Sequence, residues 1–250
     1  MLEIKNIHKT FQNLEILKGV DLSVKKGDVD VILGESGSGK TTLLRCIDFL
    51  EEPEEGEITI SGLRADYGHV SKKEQIRIRR KMSFVFQNYG LFSNKTALEN
   101  IMTGLRVVHK VPKNEARDRA MEALEKVGLP DRADHYPSQL SGGQQQRIGI
   151  ARAIVTNPDV ILMDEPTASL DPGLVGEVLH TIEDLAANGT TMLIVTHELS
   201  FAQRVSTNTM FMHNGKVVEN LPTKKFFTSP EKEETISFLR KSSPDFSFSI

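Results

Sequence analysis

The chain has 250 residues, is 38% hydrophobic and 26% charged, and carries a formal net charge of −3. That length holds one large domain or a core with an inserted subdomain, and the near-neutral charge argues against a dedicated nucleic-acid binder. No stretch approaches the ~20 apolar residues that span a bilayer, no apolar run follows Lys5 as a signal peptide requires, and the single cysteine, Cys46, cannot close an internal disulfide, which suits a reducing compartment.

Residues 29–33 are the first apolar run that reads as a buried parallel strand. After Gly39, Leu43, Leu44, Ile47 and Leu50 recur at helical spacing. Lys72, Lys73, Arg77, Arg79, Arg80 and Lys81 form a basic run. It reads as a solvated helix face, or more sharply as a contact for anionic headgroups or a partner chain. Residues 88–156 carry helix signals and no buried strand. Residues 115–127 are rich in Ala, Glu, Arg and Leu and stop at Gly128, and a further helix from about 144 to 155 ends before Asn157 and Pro158. Residues 160–163 and 192–195 are two more buried strands. Alternating strands and helices predict an α/β layered fold, with a core of 1–87 and 157–240 and an inserted helical subdomain, 88–156. No internal repeat is visible, so the chain is one unit. Residues 241–250, with their Ser and Phe, read as a loose tail.

Gly34, Glu35, Ser36, Gly37, Ser38, Gly39, Lys40 and Thr41 fit G-x-x-x-x-G-K-[ST], and Thr42 follows. An apolar strand precedes the segment and an amphipathic helix follows it. Glycines let the backbone wrap so that N–H groups point at phosphate oxygens, and the helix adds its positive end. Lys40 is expected to reach the β- and γ-phosphates of a nucleotide and the Thr41 hydroxyl to ligate Mg²⁺. The bland alternative is a Gly-Ser surface turn. The strand 160–163 ends in Asp164 and Glu165, where a parallel sheet delivers residues to its ligand crevice. Asp164 is the expected metal holder and Glu165 the base that polarises water. His197 follows the strand 192–195 and is expected to donate to the γ-phosphate. Gln87 follows Phe84, Val85 and Phe86 and is expected to bind Mg²⁺ or orient water. Taken singly, His197 and Gln87 read more readily as structural residues.

Leu140, Ser141, Gly142, Gly143 and Gln144, followed by Gln145, Gln146 and Arg147, resemble the signature motif of the ABC transporter ATPases. Ser-Gly-Gly opens a helix and leaves orphan N–H groups and a hydroxyl for an anion. The resemblance covers residues 2–240 in the order phosphate loop, Gln87, signature, acid pair, His197. It implies a P-loop NTPase core with a mainly parallel mixed sheet, an N-terminal antiparallel β region and a helical insertion. It also implies ATP and Mg²⁺ as ligands, and a head-to-tail homodimer in which Ser141 to Gln144 touch ATP held by the other copy. Phe11 matches the aromatic that stacks on adenine, and Ser169, Leu170 and Asp171 match a dimer-contacting loop.

Within that family the chain resembles the importers of polar amino acids, on Leu43-Leu44-Arg45-Cys46-Ile47, Leu50-Glu51-Glu52-Pro53, Val85-Phe86-Gln87-Asn88-Tyr89-Gly90-Leu91-Phe92 and Thr196-His197-Glu198. This implies a peripheral subunit on the cytoplasmic face of the cell membrane. Its partners would be membrane permease subunits and, indirectly, a solute-binding protein, and its solute a polar amino acid such as cystine. An exporter subunit and a soluble ABC ATPase are the rival readings. The groove beside Asn88, Tyr89, Leu91 and Phe92 is expected to receive a permease helix. Three positions depart from the family pattern: Asp30 in a buried strand, Ser93-Asn94, and the order Ala168-Ser169. Asp30 is expected near the exposed beginning of its strand, because a buried, unpaired carboxylate is costly.

Overall fold

A computed structural model describes residues 1–242. In chain order the elements are β1 (Leu2–Phe11), β2 (Leu14–Val24), β3 (Val29–Gly34), α1 (Lys40–Ile47), β4 (Glu55–Ile60), β5 (Leu63–Asp66), α2 (Lys72–Arg79), β6 (Met82–Val85), α3 (Ala97–Val107), α4 (Lys113–Lys126) and α5 (Gly142–Ile154). They continue with β7 (Val160–Asp164), α6 (Pro172–Ala187), β8 (Met192–Val195), α7 (Leu199–Val205), β9 (Asn208–His213), β10 (Lys216–Pro222), α8 (Thr223–Thr228) and α9 (Glu233–Ser242).

Two sheets result. One is four-stranded and antiparallel, in the order β2-β1-β4-β5; the other is six-stranded, β10-β9-β3-β8-β7-β6, parallel except for the β9–β10 hairpin. The apolar strands of the second sheet are buried on both faces, which is why they read as unbroken hydrophobic runs. Val31, Leu33, Ile161 and Met163 face one core shared with α3, α4, α5 and α6. Ile32, Leu162, Leu193 and Val195 face the other, shared with α1 and the antiparallel sheet. The order puts β8 between β3 and β7, so the strand leading to His197 lies between the phosphate-loop strand and the strand ending in Asp164.

The insertion expected at 88–156 is helical throughout its regular elements, and α3, α4 and α5 pack on one another. Helix α3 starts at a capping box, with Thr96 and Glu99 each bonding the other's backbone N–H. Helix α4 stops where expected: Gly128 takes φ 70°, and Leu129 N–H reaches back to Leu124 O. On α2 the basic run is only partly free, since Arg79 pairs with Asp48 at 3.6 Å and Lys81 with Asp159 at 3.2 Å.

Four expectations need correction. Leu50 lies outside α1, which ends at Ile47 before Phe49 turns the chain at φ 56°. Helix α5 begins at Gly142 and not near 144. Lys241 and Ser242 belong to α9, and residues 243–250 of the expected tail lie outside the described residues. Asp30 is not at an exposed strand start: it is the second residue of β3 and 1% exposed. Its Oδ1 accepts from Asn208 Nδ2 at 3.0 Å, while its Oδ2 has no partner. Burial pushes its carboxyl up to about 6. Pairing on one oxygen and an easier protonation stand in for the solvent exposure that was expected.

Candidate functional site

The loop 35–39 joins β3 to α1, and Gly39 caps the helix at φ 103°, a left-handed conformation that suits only glycine well. The α1 N-terminus therefore opens towards the loop with its first N–H groups unspent. Lys40 is buried, and its ammonium donates to Gly34 O at 2.9 Å and Glu35 O at 3.0 Å. Burial lowers its pKa, opposed by the nearby Glu165 and Asp164 carboxylates. Ser38 Oγ is buried without a partner. Thr41 Oγ1 donates to Asp164 Oδ1 at 2.8 Å. Burial raises the Asp164 pKa, and the Thr41 bond opposes the rise.

A cleft of about 420 Å³ opens over this loop. Ser36, Gly37, Gly39, Lys40, Thr41 and Thr42 form its floor, Phe11 and Ile16 one wall, and Gln87, Glu165, Ala168 and His197 the other. Phe11 is 40% exposed at the end of β1, so it is not a core side chain, and Lys9 Nζ sits 4.9 Å from its ring centre. Glu165 is 8% exposed at φ 47°, and its N–H donates to Val195 O at 2.9 Å. His197 Nε2 is 2.8 Å from Glu165 Oε1.

These groups fit a nucleotide triphosphate with a small hard cation. Backbone N–H groups, a lysine and an unpartnered hydroxyl suit phosphate oxygens. Thr41 Oγ1 beside Asp164 offers the one or two protein oxygens that Mg²⁺ takes along with phosphates and water.

The structure brings together Phe11, the phosphate loop, Gln87, Asp164, Glu165 and His197. Glu35 turns outward, 3.7 Å from His213 and 3.7 Å from Lys241. Ser141 to Gln144 do not line this cleft. Ser141 caps α5 in a capping box with Gln144, and Ser141 itself stays exposed. Ile16 and Ala168 join the cleft without a motif of their own, since only the β1–β2 pairing and the turn after β7 bring them there.

A second groove, about 550 Å³, lies between the core and the helical insertion. Ile76, Met82, Phe84, Phe86, Phe92 and Val108 give it an apolar lining, and Arg79, Arg80, His109 and Arg152 add cationic or titratable groups. Of the four residues expected beside it only Phe92 lines it. Asn88 and Tyr89 hydrogen-bond to Ser169, and Leu91 packs on the core. Among the described residues no helix is long and apolar enough to cross a membrane.

The "ABC transporter" family model matches residues 17–168. The chain belongs to this family. It is 52% identical over 242 residues to a probable amino-acid ABC transporter ATP-binding protein of Haemophilus influenzae, covering 96% of this chain and 94% of that one. It is 50% identical over 248 residues to an L-cystine import ATP-binding protein of Bacillus subtilis, covering 99% and 96%. Among solved structures, a dimeric ATP-binding cassette in a post-hydrolysis state with ADP and Pi superposes with TM-score 0.79 at 36% identity, over 89% of this chain and 99% of that one. The mixed parallel sheet with its antiparallel companion is the fold that the signature implied.

Proposed function

We propose that the chain is the ATP-hydrolysing, energy-coupling subunit of an importer for amino acids, with cystine a fitting solute. The observation that carries the ATPase reading is the bonded pair Glu165–His197 set over the phosphate loop, with Thr41 and Asp164 joined beside it. The names of the relatives support this reading, because the chain matches an L-cystine import ATP-binding protein and a probable amino-acid ABC transporter ATP-binding protein over nearly its whole length.

Lys40 exchanges the carbonyls of Gly34 and Glu35 for β- and γ-phosphate oxygens, and Phe11 stacks on the adenine. Thr41, Asp164 and Gln87 would hold Mg²⁺, which would supply positive charge to offset that of the phosphates. Glu165 accepts the proton of the attacking water, and His197 shares its Nε2–H between the Glu165 carboxylate and the γ-phosphate. Ser141, Gly142, Gly143 and Gln144 complete the site of a second copy in a head-to-tail homodimer. Closure of that dimer moves residues 88–156 as a lever, and the apolar groove at Phe86 and Phe92 receives a helix of a membrane permease. The subunit then works at the cytoplasmic face of the cell membrane, with a solute-binding protein delivering the solute from the far side.

Replacing Glu165 with Gln tests the reading. We expect ATP turnover to fall by about 100-fold or more, as loss of a general base does, while ATP drives the chain into a stable dimer. Undiminished turnover rejects Glu165 as the base. Co-purification with an integral-membrane permease and a solute-binding protein supports import, and co-purification with ribosomes supports a soluble ABC ATPase instead.

A further inference from the structure

Residues 86–90 lie along α5 and are bonded to it. Gln146 Nε2 donates to Phe86 O at 3.2 Å, and Arg152 donates to Tyr89 O at 3.2 Å and to Gly90 O at 2.5 Å. Tyr89 adopts φ 55°, a left-handed conformation that is strained for a bulky residue. The consequence is where its ring goes. The Tyr89 hydroxyl donates to Ser169 O at 3.0 Å, and Ser169 Oγ donates to Asn88 Oδ1 at 2.9 Å. Ser169 belongs to the turn that starts at Glu165, held by Ala168 N–H to Glu165 O at 3.1 Å and Leu170 N–H to Thr167 O at 3.1 Å.

The same hydroxyl presses on the first residue of α5. A Cβ built on Gly142 would stand 2.6 Å from Tyr89 Oη and 3.2 Å from Leu170 Cδ2. A methyl group at 142 would therefore have to push the Tyr89 hydroxyl aside. Three pieces of the molecule meet at one oxygen atom: the segment that runs into the apolar groove, the turn behind Glu165, and the start of α5.

We propose that Tyr89 is a positioning residue for ATP hydrolysis. Its hydroxyl sets the distance between the start of α5, which serves the second copy, and the turn 165–170, which carries the base of its own site. Movement of Gly90 and Phe92 at the groove then reaches both half-sites through Tyr89 and does not pass through the phosphate loop. This rests on the ATP-driven dimer reading above and adds to it the residue through which the groove acts.

The test uses the full chain and the Tyr89→Phe, Gly142→Ala and double variants. Tyr89→Phe keeps the ring and removes the bond to Ser169 O. We expect turnover at saturating ATP to fall about two- to tenfold, the worth of one such hydrogen bond, with ATP affinity of the monomer within twofold. In the Glu165→Gln background the ATP concentration for half-maximal dimerisation should rise by a similar factor. Gly142→Ala should impair dimerisation and turnover, and Tyr89→Phe should restore part of the loss, because it removes the oxygen that the new methyl group meets. Wild-type turnover and dimerisation in Tyr89→Phe would overturn the proposal. So would additive losses in the double variant, with melting temperature measured throughout to separate folding from positioning. Failure of Glu165→Gln to slow hydrolysis would instead reject the ATPase reading, whatever Tyr89 does.

Discussion

His197 Nε2 stands 2.8 Å from Glu165 Oε1, and the two side chains arrive from adjacent parallel strands, β8 and β7. Facing a carboxylate, Nε2 must be the protonated nitrogen of the ring. Glu165 is thus held from two sides, by His197 at its head and by Val195 O at its N–H, in a backbone conformation that glycine or asparagine would take more readily.

Removing the head contact frees the carboxylate to leave its line on the attacking water. His197→Ala should lower kcat by about 10- to 100-fold, within the range for a misplaced general base, and change ATP affinity by less than twofold. Steady-state ATPase assays and titration with a fluorescent nucleotide read the two quantities. An unchanged kcat would remove His197 from the mechanism.

The parts legible in the sequence were those whose chemistry demands fixed residue types at fixed spacing. The phosphate loop needs its glycines and Lys40, and the strand ending in Asp164 and Glu165 needs an apolar run before two acids. Both stand where they were expected. The buried parallel strands were equally plain, because burial on both faces leaves no polar alternation to confuse the reading. Asp30 was misread for the same reason, since its partner Asn208 lies 178 residues away and no local pattern announces it. The positions of Asn88 and Tyr89 were misread because a left-handed backbone at Tyr89 turns them from the groove towards Ser169, and side-chain type alone does not reveal that turn. The antiparallel region at the N-terminus came from resemblance; its strand β1 shifts register against β2 at three places, which blurs its alternation.

Asp30 makes stability depend on pH. Its carboxyl sits at about 6 in the folded chain against 3.8 as its ordinary value. Between those values the folded chain holds a proton that the unfolded chain has released, so the contribution of Asp30 is most favourable at low pH and is lost as pH rises through about 6. The difference corresponds to roughly 3 kcal/mol when the group is fully ionised. Asp48, also pushed up to about 6, adds its own dependence in the same direction. The comparison with Asp30→Asn isolates the first group. The variant should match the parent near pH 3.5, below the ordinary value of 3.8, and gain over it as pH rises through about 6, melting higher at pH 8 by about 2–4 °C for each kcal/mol recovered in a chain of this size. A melting difference that stays constant across that range would mean that Asp30 does not titrate there.

Phe11 should contribute affinity and little base selectivity. It stands 40% exposed at the edge of the cleft with Lys9 Nζ over its ring, so a bound base stacks by displacing that ammonium or by taking the other face. Stacking on one aromatic ring is worth about 1–3 kcal/mol. Phe11→Ala should therefore weaken ATP binding about 5- to 100-fold, Phe11→Tyr should bind like the parent, and GTP should lose by a similar factor. Calorimetric titration of the Glu165→Gln background measures these affinities without turnover. A Phe11→Ala variant with parental affinity would return Phe11 to a structural role.

Asn100 sits fully buried at the fourth position of α3, and it holds the loop that shapes the groove. Its Oδ1 accepts from Phe92 N–H at 2.7 Å, and its Nδ2 donates to the carbonyls of Phe92, Lys95 and Thr96 at 2.9–3.1 Å. The side chain thus satisfies both backbone groups of Phe92, the residue that lines the groove. Asn100→Ala leaves Phe92 N–H and Lys95 O without their partner, while Phe92 O and Thr96 O keep the N–H groups of Lys95 and Asn100, at a cost of roughly 3 kcal/mol. Asn100→Asp keeps the acceptor for Phe92 N–H but turns the donor into a second acceptor facing three carbonyls, and should be at least as harmful. Basal ATPase should survive in Asn100→Ala below its lowered melting temperature, because the phosphate loop and the Glu165–His197 pair are built on other elements. Stimulation by the membrane partner should be the property that is lost, since Phe92 is no longer held at the groove. Hydrolysis measured with and without the permease, at a temperature where both proteins are folded, separates the two; equal stimulation would show that the groove does not need the Phe92 loop fixed.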